Sequence, residues 1–476
     1  MSLCTVVELG GAGVFSASSN MLWGHILSGH ILSVHSPIVL AATGGVEKLS
    51  LAVVVLELAL VYLTALFGGE LCRRLGFPSL LGELLGGVLI GISGLRLFVL
   101  PNPGVTADLS GIVNWVAWLH GETDAVREVF LFQGEFFRNL ANVGVLVLLF
   151  EIGLGANLNQ MLGCRSKVIA VAMMGVLLSI VGGSLAMNAF LGIELIPALF
   201  VGAALSVTSL GITLQLLQQQ GDFTSTETQV IIGAAMLDDI IGIILLSLIL
   251  SIYEEGSASS LNILLLVGLT TAVLAIAIPA GRLFSSLLLF LKQTLTTPGR
   301  VIIPALMFAF VFVLIASGAG LVEILGAFMA GLVLRGGVRR LITNSLKPVV
   351  DAFVPIFFVY IGAETSLWLL LPGGGDRGWL NLTLVVFLSA IAVVAKVASG
   401  YAVSSKEGVN PLAVGLGMIP RGEVGLVFAE VGRISGILDP ALFSILVIVS
   451  IFSTLATTLG LWWLKPEHIS LPIEGR

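Results

Sequence analysis

Charge is what this sequence has least of. Of its 476 residues, 11% are charged and 57% hydrophobic, whereas a soluble domain carries roughly a quarter charged residues. Too few ionised side chains exist to coat a globule of this size. A water-soluble protein is excluded, and lipid must be the solvent for most of the surface. Cysteine is scarce as well: Cys4, Cys72 and Cys164 are scattered, which excludes a disulfide framework or a cysteine metal site. No basic cluster with interleaved aromatics occurs, so nucleic acid is excluded as a partner. Residues 1–45 hold no Lys or Arg, so they lack the charged start of a secretory signal. His25, His30 and His35 stand five apart. On a helix that step turns each imidazole by about 140°, keeping the three off one face and arguing against a metal site.

What is present is a succession of long apolar runs. A membrane span needs about 20 predominantly apolar residues, and that rule predicts about thirteen spans in the chain. They lie near 51–71, 79–97, 138–156, 167–191, 195–217, 228–252, 261–290, 300–318, 320–336, 346–370, 380–404, 411–433 and 440–464. The 57 glycines suit close helix packing in lipid. Loop charges test the count. Arg73 and Arg74, Arg165 and Lys167, Lys292 and Arg300, then Arg335, Arg339, Arg340 and Lys347 fall in alternate connections, with Lys406 and Lys465 on the same side. Asp108, Glu122, Asp124, Glu128, Glu254 and Glu255 fall on the other. The basic side is expected to be cytoplasmic, placing the N-terminus outside and the C-terminus inside. In the long connection 100–137, the stretch from Asp108 to His120 carries Trp115 and Trp118, which predicts a helix lying at headgroup level.

Ionisable residues inside a span are costly and mark function. Asp238 and Asp239 sit mid-span in IIGAAMLDDIIGIILL. Two adjacent carboxylates in a medium of low dielectric resist being ionised together, so the pair suits a site where protons and a metal cation compete. Lys396, in FLSAIAVVAKVASGYAV, needs a counter-ion if buried, and an aspartate of the pair is the obvious one. The alternative is a lysine snorkelling to the nearby membrane edge. Two further spans carry polar, helix-interrupting stretches: ALSVTSLGITL, with Thr208 and Ser209, and GLGMIPRGEVGL, with Pro420, Arg421 and Glu423. Interrupted segments in corresponding positions of two halves point to a transport site, whose unwound carbonyls can meet a cation.

At these residues the sequence resembles the monovalent cation:proton antiporter superfamily, in its Kef-like and NapA-like sodium/proton branch. The resemblance runs from about residue 50 to 464 through PSLLGELLGGVLIG, LLLFEIGLGANL, TSLGIT, DDIIG, PIFFVYIGAE and GMIPRGEVGLV, in that order. It implies an all-α polytopic membrane protein with two inverted repeats and two crossed discontinuous helices. The repeats would span 51–252 and 300–464, joined by a linker helix within 253–299. An N-terminal extension, 1–50, and a short cytoplasmic tail, 465–476, complete the division.

By the same resemblance, Asp239 is the ion-binding carboxylate and Asp238 the partner of Lys396. Both aspartates, with Thr208 and Ser209, would hold sodium, while Arg421 and Glu423 would stand at the second break, as a structural ion pair or with a direct role. The implied activity is alternating-access exchange of sodium, or lithium, for protons in a homodimer surrounded by membrane lipid, without a cofactor or enzymatic chemistry. Retention of an aspartate at 238, where electroneutral relatives carry Asn, implies an electrogenic cycle. The absence of a nucleotide-binding domain argues against a potassium-efflux relative. Potassium/proton exchange on the same fold is the nearest alternative, and a cation channel a more distant one. The expected location is the cell inner membrane or another energy-transducing membrane.

Overall fold

The computed structural model describes residues 44–102, 105–121, 125–155, 165–209, 212–213, 226–255, 260–334, 336–371, 377–403 and 409–463. His25, His30, His35, Cys4, Cys164, Glu122, Asp124, Arg335, Lys406 and Lys465 lie outside them. Among the described residues there are fifteen α-helices and no strand. In order they are α1 (Gly44–Arg74), α2 (Ser79–Ile90), α3 (Gly111–His120), α4 (Val126–Gly155), α5 (Arg165–Leu191), α6 (Leu195–Ala204), α7 (Thr226–Glu255) and α8 (Ser260–Thr294). Then follow α9 (Ile302–Gly318), α10 (Glu323–Val333), α11 (Gly336–Glu364), α12 (Gly378–Gly400), α13 (Pro411–Gly417), α14 (Glu423–Ile434) and α15 (Pro440–Trp463).

Each apolar run expected from the sequence holds a helix. Eight helices of the described residues are by themselves long and apolar enough to cross a membrane. The others are short or interrupted, and α2, at 12 residues, reaches only about 18 Å at 1.5 Å per residue. Some boundaries move. α4 starts twelve residues before the expected 138, taking in the polar residues of the preceding connection. Arg339, Arg340 and Lys347, expected in a loop, stand on the first four turns of α11. The stretch expected to lie at headgroup level does form a helix: Ser110 caps α3 by accepting from Val113 N–H, and Gly121, at φ 72°, ends it in the left-handed conformation. Ile112, Val113, Val116 and Ala117 are buried while Trp115 and Trp118 face outward.

Helices α1, α2, α4 and α9, α10, α11 pack into one bundle. Helices α5, α6, α7 and α12, α13, α14, α15 form a second, and α8 touches both. The packing repeats with pseudo-twofold symmetry. The second helix of each half lies against the third of the other, α2 on α11 and α10 on α4, and α5 meets α12 at the centre of the second bundle. Equivalent glycines allow equivalent close approaches. A Cβ on Gly183 would lie 2.7 Å from Gly202 Cα, and one on Gly400 would lie 2.8 Å from Gly415 Cα. With no hydrophobic driving force between helices in lipid, such backbone-to-backbone contact supplies much of the association. Gly415→Val is therefore expected to destabilise the protein by about 1–3 kcal/mol through overpacking, seen as a lower Tm in detergent. Gly268→Ala, in α8 with nothing within 4 Å, is expected to leave it unchanged or slightly raised.

Candidate functional site

The site lies where the two interrupted segments cross inside the second bundle. α6 ends at Ala204 and its chain turns at 205–206 into the non-helical residues 207–209. α13, capped by Asn410 with Pro411 at its first position, ends at Gly417, and α14 restarts at Glu423. Pro420 lacks the N–H a continuous helix would need. Gly422 allows the breaks to touch, since a Cβ there would meet Ser209 Oγ at 2.7 Å.

The unpaired backbone groups of each break are met by the other. Ser209 N–H donates to Pro420 O at 2.8 Å, and Thr208 Oγ1 donates to Met418 O at 3.0 Å. Thr213 Oγ1 donates to Gly417 O at 3.1 Å, and Arg421 Nη1 donates to Val207 O at 3.1 Å. Thr454, on α15, donates to Arg421 O at 2.6 Å. Carbonyls freed by the breaks thus hold the crossing together, which narrows the expectation that they meet the cation.

Asp238 and Asp239 stand on α7 beside this crossing, both buried. Lys396 is fully buried and its ammonium bonds Asp238 Oδ2, so it does not snorkel. Gly175, on α5, clears its path, since a Cβ there would lie 3.1 Å from Nζ. Thr208 Oγ1 also lies 2.9 Å from Asp238 Oδ2, so its one proton is shared between that carboxylate and Met418 O, while Ser209 Oγ donates to Glu423 Oε2 at 2.6 Å. Asp239 is placed differently. Its carboxylate is repelled by Glu423 and Asp238 and attracted by Lys396, and its Oδ1 is buried with no hydrogen-bond partner, as is Asp238 Oδ1.

All seven residues singled out in the sequence come together here. One relationship is corrected. Among the described residues Arg421 and Glu423 form no ion pair: Arg421 donates to Val207 O and Ala392 O, and Glu423 accepts from Ser209. The two flank the point where the helix restarts, so their side chains leave in different directions. Sequence reasoning also missed a second polar group, Arg433 with Glu430, Glu364, Tyr360 and Asn102. Its signal was present, since Tyr360 and Glu364 belong to PIFFVYIGAE, but both lie near a helix end, where a polar residue draws little notice.

The family profile described as "Sodium/hydrogen exchanger, transmembrane" matches residues 59–465. The chain is 39% identical over 415 residues to the high-affinity Na(+)/H(+) antiporter NhaS3 of Synechocystis sp., covering 86% of this chain and 89% of that one. It is 29% identical over 406 residues to the Na(+)/H(+)-K(+) antiporter GerN of Bacillus cereus, covering 84% and 93%. In fold it is similar to the sodium proton antiporter MjNhaP1 of Methanocaldococcus jannaschii, with a TM-score of 0.64 at 16% identity, covering 87% of this chain and 97% of that one. The crossed helix breaks, the buried aspartate pair and this match along most of the sequence agree: the chain belongs to the transmembrane sodium/hydrogen exchanger family.

Proposed function

We propose that this protein is a secondary active transporter that exchanges sodium for protons at Asp239. The observation that carries the reading is the pair of buried, unpartnered Oδ1 atoms on Asp238 and Asp239 beside the crossed breaks. Unsatisfied buried carboxylate oxygens are costly and are tolerated where a ligand or proton completes them. Three carboxylates, Asp238, Asp239 and Glu423, here face two cations, Lys396 and Arg421. If all five are ionised the site keeps one negative charge for a cation.

In the cycle we infer, Asp239 gives up its proton on one face of the membrane and takes a partly dehydrated sodium ion. The hydroxyls of Thr208 and Ser209 stand ready to reorient toward it. Lys396 holds Asp238 in the empty site and releases it when sodium arrives, which makes a second proton available and the cycle electrogenic. The second bundle moves against the first to alternate access, and the first bundle forms the homodimer contact within the lipid. The basic connections face the cytoplasm, with the N-terminus outside and the C-terminus inside, in the cell inner membrane or another energy-transducing membrane. No cofactor enters the cycle.

The test is a proteoliposome carrying a trapped pH dye and an imposed proton gradient. Addition of sodium is expected to dissipate the gradient saturably, and lithium to do so in part. Because cation and proton claim the same oxygens, the apparent KM for sodium should rise as pH falls. The slope approaches about tenfold per pH unit for each proton displaced. Saturable flux that tracks potassium in preference to sodium would establish the alternative raised by the similarity to GerN. A non-saturating sodium current with no proton counterflow would overturn exchange in favour of a channel.

A further inference from the structure

The group around Arg433 joins the two bundles, and the exchange site makes no use of it. Arg433 and Glu430 both belong to α14, in the bundle that holds the aspartate pair. Arg433 Nε and Nη2 donate to Glu430 Oε2 and Oε1 at 2.9 and 2.7 Å, a two-pronged pair within one helix. The remaining donors reach across. Nη1 donates to Asn102 Oδ1 at 2.9 Å, in the connection after α2. Nη2 donates to Tyr360 Oη at 2.9 Å, on α11. Glu364, at the end of α11, lies 3.7 Å from Nη1 and accepts from Asn102. The guanidinium also stands 5.6 Å from the Phe443 ring centroid and 5.9 Å from that of Tyr360. Glu364 and Glu430 are nearly inaccessible, with side chains 1% and 6% exposed.

Elsewhere the bundles touch sparsely. Beside the group they leave a cleft of about 420 Å³, lined by Val145, Leu250, Ser251, Glu323, Val427 and Glu430. α14 runs from the site to this cleft, so the group stands at the end of the molecule away from the basic connections.

We propose that Arg433 is a latch between the bundles. Its bonds to Glu430 travel with the moving bundle, while its bonds to Asn102 and Tyr360, and its attraction to Glu364 at 3.7 Å, hold that bundle in its present position and must be lost before it slides. Arg433 is thus a positioning residue for exchange: it sets the balance between the two access states and does not touch the ion. The Glu430 partnership keeps the guanidinium paired after release, which lowers the cost of unlatching below that of baring a buried charge. The inference rests on the proposed sliding of one bundle against the other.

The test uses the full chain with Cys4, Cys72 and Cys164 replaced by serine. One reporter is Ser251→Cys in the cleft. The other is Glu151→Cys, on α4 toward the basic connections, where the native carboxylate and Glu423 repel each other. A membrane-impermeant maleimide is applied to each face. Arg433→Ala would strand two carboxylates and can fail to fold, so the latch is weakened from the other side, by Tyr360→Phe and Asn102→Ala, with Arg433–Glu430 kept. Tyr360→Phe removes one hydrogen bond to a charged group, and Asn102→Ala removes two, to Arg433 and to Glu364. Labelling of Ser251→Cys should rise about tenfold, and labelling of Glu151→Cys should fall. Unchanged labelling in both variants overturns the latch, and so does an equal rise at both reporters, which signals general loosening. Labelling needs no transport, so a parent protein that fails to exchange sodium would sink the functional reading while leaving this result interpretable.

Discussion

Asp239→Asn is expected to abolish sodium-coupled proton movement and leave the fold intact. The substitution is nearly isosteric. Oδ1 of Asp239 has no hydrogen-bond partner to lose, and its carboxylate is repelled by two neighbouring acids, so removing the charge relieves the apo protein. What disappears is the ionised oxygen that a dehydrated cation requires. Removing one partner of a desolvated charge pair typically costs about 2–5 kcal/mol, and because the carboxylate that carries the proton is lost with it, exchange should fall below detection. The check is dye recovery in proteoliposomes beside a melting curve of the same preparation. Sodium-driven proton movement that survives in Asp239→Asn would remove the residue from the ion's path. Asp238→Asn should behave differently. It deprives Lys396 of its ion-pair partner, and a lowered Tm is expected along with lost activity.

The contrast between the two aspartates shows where sequence reading succeeds and stops. A carboxylate in an apolar run is legible because the membrane makes it costly wherever its partners sit, so Asp238, Asp239 and Lys396 stood out at once. Pro420 and its neighbouring glycines were legible because a proline removes a backbone donor regardless of tertiary context. That Lys396 pairs with one of the two aspartates followed from charge, and the family resemblance pointed to Asp238, 158 positions away in the chain. Partner choice at the second break did not follow. Arg421 and Glu423 are of opposite sign and two positions apart, yet each is engaged by the first break, because the crossing leaves carbonyls and a hydroxyl to satisfy. The Arg433 group was missed for a related reason. Its members come from three separated segments near helix ends, and only the docking of the bundles brings them together. Helix lengths failed likewise: the sequence marks apolar extent, whereas α2 stops at Ile90 because the following residues turn back, Leu95 N–H bonding Leu89 O.

Lys396 provides the second large effect. Lys396→Met preserves most of the side chain's volume but leaves Asp238 fully buried, with the Thr208 hydroxyl as its remaining donor. Breaking a buried pair by removing one partner costs about 3–5 kcal/mol, because the surviving charge is uncompensated. A clear drop in Tm is therefore expected at a pH where Asp238 is ionised, shrinking in acid as the carboxylate takes up a proton. Replacing both partners, as in Lys396→Met with Asp238→Leu, removes the stranded charge and should restore most of the lost stability. Transport should not return with it in the same form. If the pair carries the second proton, sodium exchange by the double variant would generate no membrane potential and would ignore an imposed one, because Asp239 alone trades one charge for one. A double variant as unstable as the single would show that Lys396 acts through packing against Gly175 and not through its ion pair. A stable double variant that stays electrogenic would place the second proton on another group, and Glu423, held by Ser209 and repelling Asp239, is the carboxylate positioned to take it.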